Sequence, residues 1–233
     1  MASTRATARK PPLSEALRER YKDLAAKAAA AMLEDGMRVG LGTGTTVAHL
    51  LPAIAERELR GMRYVSTSPK TEQAALKLGL TIEDLDQVGP LDIAIDGADQ
   101  IDPSGWLVKG GGGALTREKI VASAARVFVV IASEDKPVPR ISPPVPIELI
   151  HFGALYTISK LAETRLRDAV QSPDGGLIAD YLGPVGDPRE LSARLSATPG
   201  VIEHGLFEPE MVSLILIAGA RGVKQRAGGK PLR

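Results

Sequence analysis

The chain has 233 residues, 44% of them hydrophobic and 24% charged, with a formal net charge of +1 and no cysteine. That length allows one large or two modest globular units and a substantial core, while the charge gives no argument for nucleic acid or an anionic membrane. The absence of cysteine excludes disulfides, thiolate catalysis and cysteine-ligated metals and suits a reducing cytoplasm, and no apolar run approaches the ~20 residues of a membrane span.

In chain order, Met1 to Pro12 is rich in Ala, Thr and Arg and free of acids, and reads as a disordered tail rather than a targeting peptide. Ser14 is a helix cap, and the pattern predicts a helix from there to about Leu33, with Gly36 as its stop. Arg38 to Leu41 is a short strand, Val47 to Leu59 a helix, and Arg63 to Ser66 a strand. Pro69 opens a helix that runs to about Leu78. Strands follow at Leu80–Ile82 and Leu91–Ile95, then a helix at Leu115–Ala125. Val127 to Ala132 is apolar throughout, the signature of a strand covered on both faces. This alternation predicts an α/β fold with a mainly parallel sheet and helices on both faces.

Prolines crowd the segment from Pro137 to Pro146, and the texture changes beyond it. Strand Ile147–Ile150, helix Ala154–Val170, strand Leu177–Tyr181, helix Pro188–Ala197 and strand Val201–His204 suit a small α+β domain with an antiparallel sheet. Val212 to Ala218 is apolar enough to return to the main sheet. The expected division is therefore 1–142 with 211–233 as the large domain and 143–210 as the small one. Arg221 to Arg233, basic and glycine-containing, reads as a second disordered tail.

Three segments carry chemistry. Gly42-Thr43-Gly44-Thr45-Thr46 joins a strand to a helix and offers backbone N–H groups and hydroxyls suited to phosphate; a plain capped turn would read the same. Asp96-Gly97-Ala98-Asp99 follows another strand. It could be a self-capping turn or hold a divalent metal, though no histidine lies near it in sequence and a hydroxyl-rich ligand fits better. Asp102-Pro103-Ser104-Gly105 is a turn without chemistry. Lys109 leads into Gly110-Gly111-Gly112-Gly113, where no Cβ blocks a ligand from the backbone. Glu118 follows at a helix start, where the macrodipole favours a carboxylate. Lys109, between apolar Leu107-Val108 and the glycines, is placed to meet an anion or a developing oxyanion. In parallel sheets ligands bind beyond the carboxyl ends of strands, so these loops should share a crevice. His49, His151 and His204 are dispersed and read as structural or surface residues, and Trp106 as packing.

Together these segments, in this order and spacing, resemble type A ribose-5-phosphate isomerase. Ala114-Leu115-Thr116-Arg117-Glu118-Lys119, Pro144-Val145-Pro146-Ile147-Glu148 and Gly200 to Phe207 extend the resemblance, which spans about Tyr21 to Val223. Gln100 stands where that family usually has glutamate. The resemblance implies interconversion of ribose 5-phosphate and ribulose 5-phosphate in the non-oxidative pentose phosphate pathway, without metal or organic cofactor. It makes Glu118 the base that carries a proton between C1 and C2 through an enediol(ate), with Lys109, Asp96 and Asp99 as its catalytic partners. Substrate contacts fall to Thr43, Gly44, Thr45 and Thr46; to Asp96, Gly97, Ala98 and Asp99; to Lys109, Gly110, Gly111 and Gly112; and to Lys22 and Lys136. It implies a cytoplasmic homodimer or homotetramer acting on a small sugar phosphate, with no nucleic acid or membrane partner. A non-catalytic sugar-phosphate sensor and another enzyme of the same broad fold, a sugar-phosphate deaminase or coenzyme A transferase, are the competing readings. The sensor would need an output module, and no helix-turn-helix is visible.

Overall fold

The computed structural model describes residues 13–232, so the tail expected at Met1 to Pro12 lies outside the described residues. Helix α1 (Glu15–Ala30) starts at Ser14, whose hydroxyl accepts the Leu17 N–H at 3.3 Å, relieving one orphan donor of the first turn. Then come β1 (Arg38–Leu41), α2 (Thr45–Ala55), β2 (Arg63–Ser66), α3 (Pro69–Leu76), a single turn α4 (Leu85–Val88) and β3 (Leu91–Gly97). Two-residue strands β4 (Gln100–Ile101) and β5 (Leu107–Val108) precede α5 (Leu115–Ala124) and β6 (Ala125–Ser133). The rest is β7 (Val145–Leu149), α6 (Ala154–Leu161), β8 (Thr164–Gln171), β9 (Leu177–Tyr181), α7 (Pro188–Ser196), β10 (Val201–His204), β11 (Leu206–Phe207), β12 (Leu214–Gly219) and β13 (Gly222–Ala227).

The main sheet has six strands in the order β13-β12-β6-β3-β1-β2. All neighbours are parallel except the β12–β13 hairpin. Alternate side chains serve its two faces. Ile93 and Ile95 of β3 and Val129 and Ile131 of β6 join α1 and α2 in one core. Ala94, Phe128 and Val130 join Val121 and Ala122 of α5 in the other. Burying each of the larger side chains among these, the valines, isoleucines and phenylalanine, stabilises the fold by about 1.5–3 kcal/mol. A four-stranded antiparallel sheet, β10-β7-β9-β8, carries the third core with Leu191 and Leu195 of α7 and Trp106. A three-stranded sheet, β11-β5-β4, joins the segment after β3 to the segment after β10, pairing Leu206 with Val108.

The α/β class and mainly parallel sheet are as expected, and three local expectations are corrected. Residues 154–170 are not one helix: α6 stops at Leu161, Ala162 and Glu163 take φ of +48° and +37°, and Thr164 onward is strand β8. Leu166 and Val170 fitted either a helical or an extended period, and pairing with β9 decided between them. Leu80–Ile82 makes one bridge, Tyr64 to Ile82, rather than a strand. The C-terminal segment is not a free tail, because Gly222–Ala227 pairs with β12 from Gly219↔Gly222 to Leu214↔Ala227. Its lysine and arginine side chains hid a strand that borders solvent, where charge is the usual guard of a sheet edge.

Candidate active site

The carboxyl ends of β1 and β3 deliver the first two loops side by side. Gly42 follows β1 so closely against β3 that a Cβ there would fall 1.9 Å from Asp96 Cγ. That contact lets the Asp96 carboxylate accept N–H bonds from Thr43 at 3.1 Å and Gly97 at 2.7 Å. Helix α2 starts at Gly44, φ +117°, without a side-chain cap. Its first N–H groups therefore remain available to an anion. Thr43 Oγ1 is tied to Thr67 Oγ1 at 2.7 Å.

Lys109 enters from β5 and ends between two carboxylates. Its Nζ donates to Asp96 Oδ2 and to the Gly97 carbonyl, each at 2.7 Å, and lies 3.1 Å from Glu118 Oε2. All three side chains are at most 4% exposed. The Phe207 ring, 5.3 Å from Nζ, adds a cation–π contact. The Glu118 contact is an ion pair by distance but lacks hydrogen-bond direction. Glu118 Oε2 is the one buried side-chain oxygen or nitrogen among the described residues that has no hydrogen-bond partner.

That difference sets the charges. Glu118 stands at about 7: burial raises it most, Lys109 offsets part of this, and nearby Asp96 and Asp99 add to the rise. Burial also raises Asp96, opposed by the Lys109 ammonium and the N–H groups of Gly97 and Thr43. Lys109 pays the same desolvation, yet Asp96 and Glu118 hold its ammonium above the usual range. One cation between two buried acids titrates as a unit. Within it Asp96 has three donors and Glu118 a single misaligned one, so the geometry favours the ionised form more at Asp96 than at Glu118.

The glycine loop closes the group. Gly110 turns at φ +96°, a conformation that favours glycine. The Gly111 N–H then donates to Asp99 Oδ2 at 2.9 Å. Arg167 of β8 donates to the carbonyls of Gly110 at 3.1 Å and Gly111 at 3.0 Å. Helix α5 follows from Ala114, which provides no side-chain cap, and Glu118 lies in its first turn.

A cavity of about 770 Å³ spans these loops. Its walls include Thr43 to Thr46, Gly97 to Asp99, Lys109 to Gly112, Glu118, Lys22 and Lys136. The structure thus brings the expected residues together with one difference. Asp96 does not reach the wall and stands behind Lys109, leaving Asp99 as the aspartate that faces the space. Lys22 is drawn to Glu19 at 2.6 Å, and Glu19 also meets His49 at 2.8 Å. Gln100 turns aside, bonding the Ser142 backbone at 2.7 and 2.9 Å.

Sequence reasoning missed several contributors. Arg18 and Lys70 also line the cavity, as do Gln171 at the end of β8 and Ser172 and Pro173 just after it. Arg18 sits one helical turn before Lys22 and shares its face, a signal the spacing offered. Nothing local pointed to Arg167. His204 is buried, with its ring against Ser192 at 3.3 Å and Ser196 at 3.0 Å. Burial and then Lys119 depress it to about 4, which keeps it neutral and structural. His151 bonds the Gly175 carbonyl away from the cavity.

The sequence model of the family described as Ribose 5-phosphate isomerase A (phosphoriboisomerase A) matches residues 63–222. The ribose-5-phosphate isomerase A of Acidithiobacillus ferrooxidans is 38% identical over 211 residues, covering 88% of this chain and 96% of its own. That of Roseiflexus castenholzii is 43% identical over 219 residues, covering 87% and 93%. Among solved structures, ribose 5 phosphate isomerase A from Neisseria gonorrhoeae superposes with a TM-score of 0.86 at 30% identity, over 90% of this chain and 97% of that one. A D-ribose-5-phosphate isomerase in complex with phospho-erythronic acid gives 0.85 at 34% identity, over 90% and 98%.

Proposed function

Because the chain belongs to the ribose 5-phosphate isomerase A family, we propose that it interconverts D-ribose 5-phosphate and D-ribulose 5-phosphate. Glu118 accepts the C2 proton of the open-chain aldose. The C–H electron pair forms the C1=C2 bond, and the carbonyl electrons move onto O1. Glu118 then returns the proton to C1 while O2 gives up its own and becomes the ketose carbonyl. Lys109, fixed by Asp96, stabilises the enediolate oxygen in a site where little water screens the charge. Asp99, which faces the cavity, moves protons between O1 and O2 and assists ring opening. Asp96 acts through Lys109.

The phosphate end of the substrate faces the uncapped start of α2 and the cations Arg18, Lys22, Lys70 and Lys136. Four cations and a helix N-terminus along one cavity support this orientation. The same reading gives a cytoplasmic enzyme of the pentose phosphate pathway, assembled as a homodimer or homotetramer. Among the described residues no helix is long and apolar enough to cross a membrane.

The observation that carries the proposal is the unpartnered Glu118 Oε2, buried in the same cavity as the three loops and 3.1 Å from Lys109. A pKa near 7 suits a base working at neutral pH. Incubation with ribose 5-phosphate in deuterated water tests it. The expected result is ribulose 5-phosphate, with deuterium at C2 of recovered ribose 5-phosphate. Absence of product would return the protein to the sensor reading.

A further inference from the structure

The four-glycine loop raises a physical problem that its own sequence does not solve. Glycine loses more conformational freedom on ordering than any other residue, yet Gly110 to Gly112 must hold still against the substrate. The restraints include Lys109 N–H to the Gly205 carbonyl at 2.9 Å, Gly113 N–H to the Gly110 carbonyl at 3.0 Å, and Gly111 N–H to Asp99. The remaining restraint comes from another sheet. Arg167 Nη1 donates to the carbonyls of Gly110 and Gly111, while Nε and Nη2 donate to Asp180 at 2.9 and 2.7 Å.

A peptide unit is planar and trans, so fixing a carbonyl fixes the following N–H in the opposite direction. Held at the Gly110 carbonyl, the peptide aims Gly111 N–H at Asp99. Held at the Gly111 carbonyl, the next peptide turns Gly112 N–H away from Arg167. We propose that Arg167, oriented by Asp180, is a positioning residue that locks the two peptide planes between Gly110 and Gly112. Through them it holds Asp99 and the loop N–H groups against the reacting end of the substrate. The work requires a guanidinium: one planar fork serves two carbonyls on one side and a carboxylate on another, which a lysine ammonium cannot do.

This inference rests on the isomerase reading for its kinetic test, and amide exchange tests it independently. In Arg167→Ala, kcat for ribose 5-phosphate should fall on the order of 10- to 100-fold, the scale of a small misplacement of reacting groups. KM should change far less, because Arg167 touches the loop and not the substrate. Arg167→Lys should behave like the alanine variant, and millimolar guanidinium should restore part of the activity of Arg167→Ala. Hydrogen exchange at Gly111 to Gly113 should quicken in both variants. Wild-type kcat together with wild-type exchange would overturn the proposal. A fall in kcat with unchanged exchange would also overturn it, by assigning Arg167 a direct role. If Arg167→Ala does not fold, Asp180→Asn carries the same two measurements with a smaller expected change. A wild-type protein that leaves ribose 5-phosphate unaltered would defeat the isomerase reading, while the exchange data would still decide the role of Arg167.

Discussion

Two glutamates are buried on either side of the same helix start, and they have opposite fates. Glu118, in the first turn of α5, is 3% exposed and has an oxygen without a hydrogen-bond partner. Glu148, on β7, is 1% exposed, and each of its oxygens accepts a hydroxyl: Thr116, two residues before Glu118, and Ser172 in the turn after β8. Gly176 packs against it so tightly that a Cβ would fall 2.3 Å from Oε1. Burial alone therefore does not make a base. A carboxylate whose two oxygens each accept a hydroxyl is structural, whereas one held short of donors beside a lysine ammonium can take a proton.

Substitutions put this contrast to the test. The largest expected effect is Glu118→Gln, which should lower kcat on the order of 10²–10⁴-fold while leaving substrate affinity nearly intact. Steady-state kinetics that returned a near-normal kcat would remove Glu118 from its role. Lys109→Met comes next: it strands two buried acids without their cation and should cost about 3–5 kcal/mol of stability, read from urea unfolding, besides its loss of activity. Glu148→Gln should reverse the pattern of Glu118. We expect a loss on the order of 1–3 kcal/mol with kcat close to wild type, and a collapse of kcat without loss of stability would erase the distinction.

The pH dependence gives a subtler test. As the proposed base, Glu118 has to be deprotonated to accept a proton from carbon, so kcat/KM should rise with pH and level off above about 7. The glutamine variant should lack that inflection in its residual activity. For stability the sign is opposite. The raised pKa makes folding favour the protonated form, so this contribution is full below about 4.5 and is lost as pH rises through about 7. Thermal melts of wild type and Glu118→Gln across that window should therefore converge or cross in favour of the variant as pH rises. The smallest expected effect is that of exhaustive chelation, since the Lys109 ammonium already occupies the space between Asp96 and Glu118. Activity lost to chelator and restored by a divalent ion would contradict that arrangement.

The sequence by itself determined the alternating strands and helices, because Leu91 to Ile95 and Val127 to Ala132 are apolar in ways a covered parallel sheet requires. It also marked the three loops, since glycines at the ends of successive strands, with Lys109 and Glu118 after them, stand out in combination although each alone reads as an ordinary turn. Residues 164–171 were not legible, because Leu166 and Val170 fit either period, and pairing with β9 selected the strand. With that strand came Arg167, which no local pattern marks. The fold also turned Asp96, near the end of β3, behind Lys109 and left Asp99 at the wall, although three positions separate them in sequence. The charge on Glu118 was decided last and by tertiary structure alone. A pKa depends on which groups surround a carboxylate and how little water reaches it, and those neighbours come from β3, β5 and the loops between them.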